Sequence, residues 1–265
     1  MTLYAIGDIH GQLGELERAL ALIEADGGQD ARIVFVGDYT DRGPHSRQVI
    51  ERLVSGCEEG RPWTCLKGNH DRMFLRYVTA GIENDDNIRS GLSWLNPRLG
   101  GAQTLASYGL VFDETPGFLR PKGGVEHLVE ARVNGALAGP QQMQARARDA
   151  VSERHLRFLE SCPLWHREAG FIFVHAGIRP GTAMEEQSEE DLIWIRDGFL
   201  DDPRDHGAVV VHGHTAVEAP EHHGNRINID SGAGYGRPIT AAALTPEGAF
   251  VLGAEGRARL SPEAR

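Results

Sequence analysis

Cysteine is scarce: Cys57, Cys65 and Cys162 are three in 265 residues, odd in number and without C-x-x-C spacing. That argues against a disulfide framework and points to a reducing compartment. Each reads as a small buried hydrophobe rather than a ligand or a nucleophile. Basic residues are also in deficit. The chain has 27 Lys and Arg against 38 Asp and Glu, a formal net charge of −11. A global electrostatic grip on nucleic acid is not expected on that balance, and a membrane surface is disfavoured. No apolar run approaches the length of a membrane span, and no basic-then-apolar leader precedes the first strand. A soluble cytoplasmic protein is expected. No serine nucleophile elbow, cysteine nucleophile motif, Gly-rich phosphate cradle, internal repeat or low-complexity linker is visible.

What the chain does have is a series of short apolar runs, each cut off by a small or polar residue. Arg32-Ile33-Val34-Phe35-Val36 ends at Gly37, and its apolar, mostly β-branched residues read as a strand buried on both faces. Leu3-Tyr4-Ala5-Ile6 ends at Gly7, and Thr64-Cys65-Leu66 leads into Gly68. Between these strands, Leu13, Leu16, Leu20 and Ile23 recur at helical spacing over 12–25. Pro44 suits a helix start, with Val49, Ile50, Leu53 and Val54 as its apolar face. Met73, Phe74, Tyr77 and Val78 mark a third helix. Three β–loop–α units in succession imply a largely parallel sheet.

From about 81 to 165 the pattern loosens, with Gly, Asn and Pro as punctuation and a helix expected over 140–161. This stretch reads as a partly helical insertion lying over the site. Strands then resume at 171–174 and 208–211, and closing strands at 226–229, 239–244 and 249–252 have turns short enough for antiparallel pairing. The expected fold is α/β: two packed mixed β-sheets flanked by helices, a single domain over 1–265.

Five strand ends carry polar clusters: Asp8 with His10, Asp38 with Asp41 and Arg42, Asn69 with His70, His175, and His212 with His214. In open α/β sheets chemistry collects beyond the carboxyl ends of the strands. Each cluster has a mundane alternative: Asp8 as a cap, Asn69 as a turn residue, His175 as a core histidine, Asp41 and Arg42 as a surface ion pair. Their recurrence after one buried strand after another favours a metal site. His, Asp and Asn without thiolate suit zinc, iron or manganese.

In order, Gly7-Asp8-Ile9-His10-Gly11, Gly37-Asp38-Tyr39-Thr40-Asp41-Arg42-Gly43, Gly68-Asn69-His70-Asp71, His175-Ala176-Gly177 and Gly213-His214-Thr215 form a specific set. It resembles the phosphoprotein-phosphatase branch of the calcineurin-like metallophosphoesterases, nearest the bacterial and phage serine/threonine phosphatases. The resemblance runs from Leu3 to about Ala243, the insertion least covered. It implies two divalent transition metal ions, with manganese favoured over iron or zinc. Asp8, His10 and bridging Asp38 would hold the first. Asp38, Asn69, His175 and His214 would hold the second. It also implies direct attack of a metal-bridging hydroxide, with His70 as the acid for the leaving group and Asp41 orienting it. Arg42 and Asn69 would bind phosphate, as would Arg196, which follows Leu192-Ile193-Trp194-Ile195. The alternative for Arg196 is an ion pair with Asp191 or Asp197. His212 is two residues from His214 on an extended strand, so coordination is geometrically open; the family pattern leaves it off the metal. Asp71 stands where many members have Glu, and Ala216 where the wider superfamily has a further His.

The resemblance implies a phosphatase acting on phosphomonoesters, with phosphoserine and phosphothreonine proteins or small phosphoesters as substrates; the charge balance makes neither nucleic acid nor membrane an expected partner. The alternative is a symmetrical dinucleoside polyphosphate hydrolase, a family that often has Gly-Asn-His-Asp but commonly replaces the Asp equivalent to Asp41 with Ala. A catalytically inactive metal-binding module is a third reading, opposed by the intact ligand set, His70 and both arginines. Substrate choice is expected to lie in 81–165, where Trp94, Arg98, Arg120 and Lys122 are the candidate contacts.

Overall fold

Strand β1 (Leu3–Ile6) is buried throughout, and its side chains alternate between two cores. Leu3 and Ala5 face one, Tyr4 and Ile6 the other. The same division continues in β2 (Ile33–Phe35) and just beyond it, with Val34 and Val36 on the first side and Ile33 and Phe35 on the second. A period-two split with both faces apolar is what a strand covered on both sides requires. The computed structural model describes residues 2–262.

Helices α1 (Leu13–Gly27), α2 (Ser46–Glu58) and α3 (Asn69–Ala80) alternate with β1, β2 and β3 (Trp63–Cys65). The strands β1, β2 and β3 pair in parallel. After the insertion come β7 (Trp165–Glu168), β8 (Phe171–Val174), α7 (Glu189–Trp194), β9 (Val209–His212), β10 (Glu221–His222) and β11 (Arg226–Asn228). The chain closes with β12 (Ala241–Thr245), β13 (Gly248–Gly253) and β14 (Gly256–Leu260). One sheet has the order β14-β13-β12-β1-β2-β3, the other β10-β11-β9-β8-β7. Val34, Val36 and Leu66 from the first meet Phe173, Val211 and Ile227 from the second, filling the space between the sheets. The outer face of the first is covered by α1, α2, α3 and the insertion, that of the second by the segment around α7. This is the mixed α/β architecture expected.

Six strands run parallel within their sheets, β1, β2 and β3 in one and β8, β9 and β11 in the other. Asp8, Asp38, Asn69, His175, His214 and Asp230 follow their carboxyl ends within one to four residues.

The insertion holds α4 (Gly101–Ser107), a three-stranded sheet of β4 (Gly117–Leu119), β5 (His127–Val133) and β6 (Ala136–Ala138), then α5 (Pro140–Ala150) and α6 (Glu153–Ser161). The single helix expected over 140–161 is therefore two. The break falls at Ser152, whose side chain accepts from the backbone N–H of His155 at 3.3 Å. A serine N-cap satisfies one of the free amides of a new helix. The small sheet, β7 and β14 were not expected. Their sequences alternate too weakly: β14 is exposed at four of its five residues.

Candidate active site

Backbone conformation marks the site first. Seven non-glycine residues have positive φ among the described residues, and five are His10, Asp38, Asp41, Arg42 and His214. Such conformations are strained for these side chains and persist where surroundings fix them. Asp71 supplies part of that fixing. Buried in the first turn of α3, its carboxylate accepts from the backbone N–H groups of Asp38, Tyr39 and Gly68 at 2.9 to 3.0 Å. Gly213 shows why the following loop comes so close: a Cβ there would lie 1.9 Å from Asp8 Oδ1. His214 N–H donates to Asp8 Oδ2 at 3.1 Å.

The sequence-predicted ligands converge. Donor atoms of Asp8, Asp38 and His175 lie within 4.8 Å of one another, as do those of His10, Asp38 and His70. All of these residues are buried. His175 tests the fit to a metal most sharply. Its Nδ1 is 2.9 Å from the Val36 carbonyl, so as a donor there it leaves Nε2 an acceptor. That nitrogen faces oxygen: Asn69 Oδ1 at 2.8 Å and Asp38 Oδ1 at 3.4 Å. Acceptors facing acceptors in a buried site are reconciled by a cation between them. His10 repeats the pattern, with Nδ1 2.8 Å from the Thr40 carbonyl and Nε2 3.5 Å from Asp38 Oδ2. Arg42 Nη1 also reaches His10 Nε2, at 3.0 Å. His214 Nδ1 meets Asn69 Oδ1 at 2.9 Å.

Electrostatics agree. Burial, with Asp230 and Asp38 beside it, pushes the Asp8 carboxyl well up. Burial and neighbouring Arg42 hold His10 well below the usual imidazole range, and burial with His175 does the same to His214. Clustered carboxylates and neutral imidazoles are the donor set of a divalent ion. Asp230 was missed by the sequence reading. Its signal was the same as the others, an acid at the end of a buried apolar run, Ile227-Asn228-Ile229.

Beside this cluster His70 Nδ1 lies 2.6 Å from Asp41 Oδ2. Asp41 is fully buried, and burial pushes it up to about 7, opposed by bonds from Thr104 and Trp94. Burial holds His70 down at about 3, against the expectation of an acid protonated near neutral pH. An anion brought to Nε2 shifts it back up. Trp94 Nε1–H donates to Asp41 Oδ2 at 2.8 Å, and the Thr104 hydroxyl donates to Oδ1 at 2.7 Å. Thr104 carries no sequence signal for this contact, and Trp94 is a core residue rather than the substrate contact expected of it.

The arginines face the cluster. Arg42 Nη2 is 3.3 Å from His70 Nε2, and its guanidinium lies over the Tyr235 ring at 4.9 Å. The ion pairs considered for Arg196 do not form: Asp197 pairs with Arg89 and Asp191 with Arg179, each at 2.7 Å. Both Arg42 and Arg196 line a cleft of about 710 Å³ over the cluster. His212 points elsewhere, with Nε2 3.4 Å from Arg226 Nη1 and its ring against Phe199. The insertion contributes Asp86 to Arg89 and Leu99 to the cleft wall, which continues through Arg179, Glu190 and Trp194. Trp94 is buried under Asp41, while Arg98, Arg120 and Lys122 are exposed and away from the cleft.

A two-sheet sandwich with Asp, His and Asn at the ends of its parallel strands defines a metallophosphoesterase. The chain belongs to the calcineurin-like phosphoesterase family, whose model matches residues 1–236. It is similar to a symmetrical bis(5'-nucleosyl)-tetraphosphatase of Methylococcus capsulatus, with 28% identity over 73% of this chain and 50% of that one, so it spans about half that relative's length. It is 26% identical to the asymmetrical bis(5'-nucleosyl)-tetraphosphatase PrpE of Halalkalibacterium halodurans, over 93% of this chain and 91% of that one. Among solved structures, a candidate diadenosine tetraphosphatase superposes with a TM-score of 0.61 at 18% identity, covering 95% of this chain and 92% of that one. A cold-active protein-tyrosine phosphatase of a psychrophilic Shewanella superposes at 0.58 and 15%, covering 98% and 80%. These structures share the fold. Among the described residues no helix is long and apolar enough to cross a membrane.

Proposed function

We propose that this chain is a metal-dependent phosphomonoesterase, acting on phosphoserine and phosphothreonine proteins. The observation that carries this reading is the buried pair of His70 and Asp41, 2.6 Å apart beside the ligand cluster. Asp8, His10 and Asp38 would hold one ion, and Asp38, Asn69, His175 and His214 a second. Divalent ions there would polarise the phosphoryl oxygens and lower the pKa of an attacking water. Arg42 and Arg196 hold the remaining phosphoryl oxygens, where charge builds in the transition state. With the substrate anion beside it restoring the proton on Nε2, His70 gives that proton to the departing oxygen, and Asp41 keeps the ring aimed. Trp94 and Thr104 keep Asp41 in place. An alkoxide leaving group needs that proton far more than a phosphate leaving group does. The dyad therefore favours serine and threonine phosphoesters over phosphoanhydrides.

A second reading, hydrolysis of dinucleoside tetraphosphates, is favoured by the names of relatives that cover nearly the whole chain. The test is one panel at one metal condition: a phosphoserine or phosphothreonine peptide, a phosphotyrosine peptide and diadenosine tetraphosphate. The first reading expects the phosphoserine or phosphothreonine peptide to lead in kcat/KM. A lead of diadenosine tetraphosphate by about a hundredfold, ~2.7 kcal/mol of transition-state preference, establishes the second.

A further inference from the structure

The cations around the cleft are unevenly balanced. On the side of α7 and the insertion each has a carboxylate partner: Arg89 with Asp197, Arg179 with Asp191, Arg72 with Glu190. On the other side Arg42, Arg196 and Arg237 have no carboxylate partner among the described residues, in a chain of net charge −11. These three arginines, with His214, Thr215 and Tyr235, line a separate hollow of about 470 Å³ that adjoins the metal cluster.

Arg237 is placed there by packing. It lies across Gly232, where φ is 85°, and a Cβ on Gly232 would come within 2.2 Å of the guanidinium. That left-handed backbone favours glycine, whose bare face leaves room for the guanidinium. The Arg237 Nε is buried without a hydrogen-bond partner, as is the Thr215 hydroxyl. Buried polar atoms are nearly always paired in native proteins, and of the seven unpaired among the described residues three, on His214, Thr215 and Arg237, belong to residues lining this hollow. Arg42 and Arg196 also line the main cleft, so the two spaces meet at the residues that face the reacting phosphoryl group.

We propose that this hollow is a second anion subsite, taking a second phosphate group of the same substrate, with Arg237 as its specificity-determining residue. Guanidinium recognises phosphate through paired donors, and no carboxylate among the described residues pairs with these arginines. Two sources share that chemistry: the next phosphate of a polyphosphate chain, and a neighbouring phosphoresidue of a doubly phosphorylated peptide. The inference rests on the phosphoesterase reading above and narrows its substrate class.

The test is calorimetric binding of orthophosphate and of pyrophosphate to the metal-loaded protein, native and Arg237→Ala, with Arg237→Lys as the conservative variant. Native protein should bind pyrophosphate at least about tenfold more tightly than orthophosphate. Arg237→Ala should remove most of that ratio, and Arg237→Lys should restore part of it. A ratio near one in native protein, or a ratio unchanged in Arg237→Ala and in the milder Arg237→Gln, overturns the subsite. Turnover of para-nitrophenyl phosphate by native protein separates the two claims: binding preference without turnover sinks the phosphomonoesterase reading, and turnover without the preference sinks the subsite. The source follows from kcat/KM on ADP and on a doubly phosphorylated peptide. The one that loses more in Arg237→Ala is the fit, and no loss on either contradicts the proposal.

Discussion

Asp41 is fully buried, and both its oxygens are taken, Oδ1 by Thr104 and Oδ2 by His70 and Trp94. Withdrawing one donor from such a carboxylate costs about 1–3 kcal/mol. Thr104→Val and Trp94→Phe should each lower kcat about tenfold or more with KM nearly unchanged and metal content intact. Steady-state kinetics with metal analysis checks this; a rise in KM alone would place these residues with substrate instead. His70→Asn should lower turnover of alkyl phosphates by about 10²–10⁴, the usual worth of a general acid, and that of aryl phosphates by less. Loss of a metal ion from that variant would make His70 a ligand, which its closeness to His10 and Asp38 makes a fair test. The candidate ligands were legible from sequence because each sits next to a buried strand end. The residues holding Asp41 were not: Trp94 and Thr104 lie 53 and 63 positions away, and nothing local in either marks the contact.

Among elements, α6 shows how the insertion is tied to the frame. His155 lies with Nδ1 2.8 Å from the Tyr108 hydroxyl and Nε2 2.8 Å from Glu51 on α2, and Arg154 pairs with Glu51 and Glu58. Burial holds His155 below the ordinary imidazole pKa of 6.5. The unfolded chain therefore takes up that proton first, and stability falls as pH drops below about 6.5. Arg154 and His155 pull Glu51 from 4.5 to about 2, so its contribution is present above 4.5 and is lost from there down to about 2. Thermal unfolding from pH 7 to 5 should show a falling Tm, with a shallower slope in His155→Gln. An identical slope would remove His155 from the account. The first three β–loop–α units were legible because their helices carry clear apolar stripes. The break at Ser152 was readable as a cap before Glu153, but the apolar positions on either side concealed it. The small sheet of the insertion escaped because β5 buries only three of its seven residues.

For the whole molecule, the cluster joins two sheets: Asp8, Asp38 and Asn69 come from the first, His175, His214 and Asp230 from the second. Ions bound there should hold the sandwich together. At a free metal concentration a hundredfold above Kd the gain is about 2.7 kcal/mol, or roughly 5–10 °C in Tm for a chain of this size. Chelation should lower Tm by that order, and added manganese should restore it. In Asp38→Asn the increment should shrink, and most activity should be lost while the far-ultraviolet dichroism stays native.

The most direct measurement is anomalous diffraction from crystals of the metal-loaded protein, with elemental analysis of the same preparation. Two ions per chain are expected, on either side of Asp38 and both within ligand distance of its carboxylate. One ion only, or ions that do not touch Asp38, would contradict it.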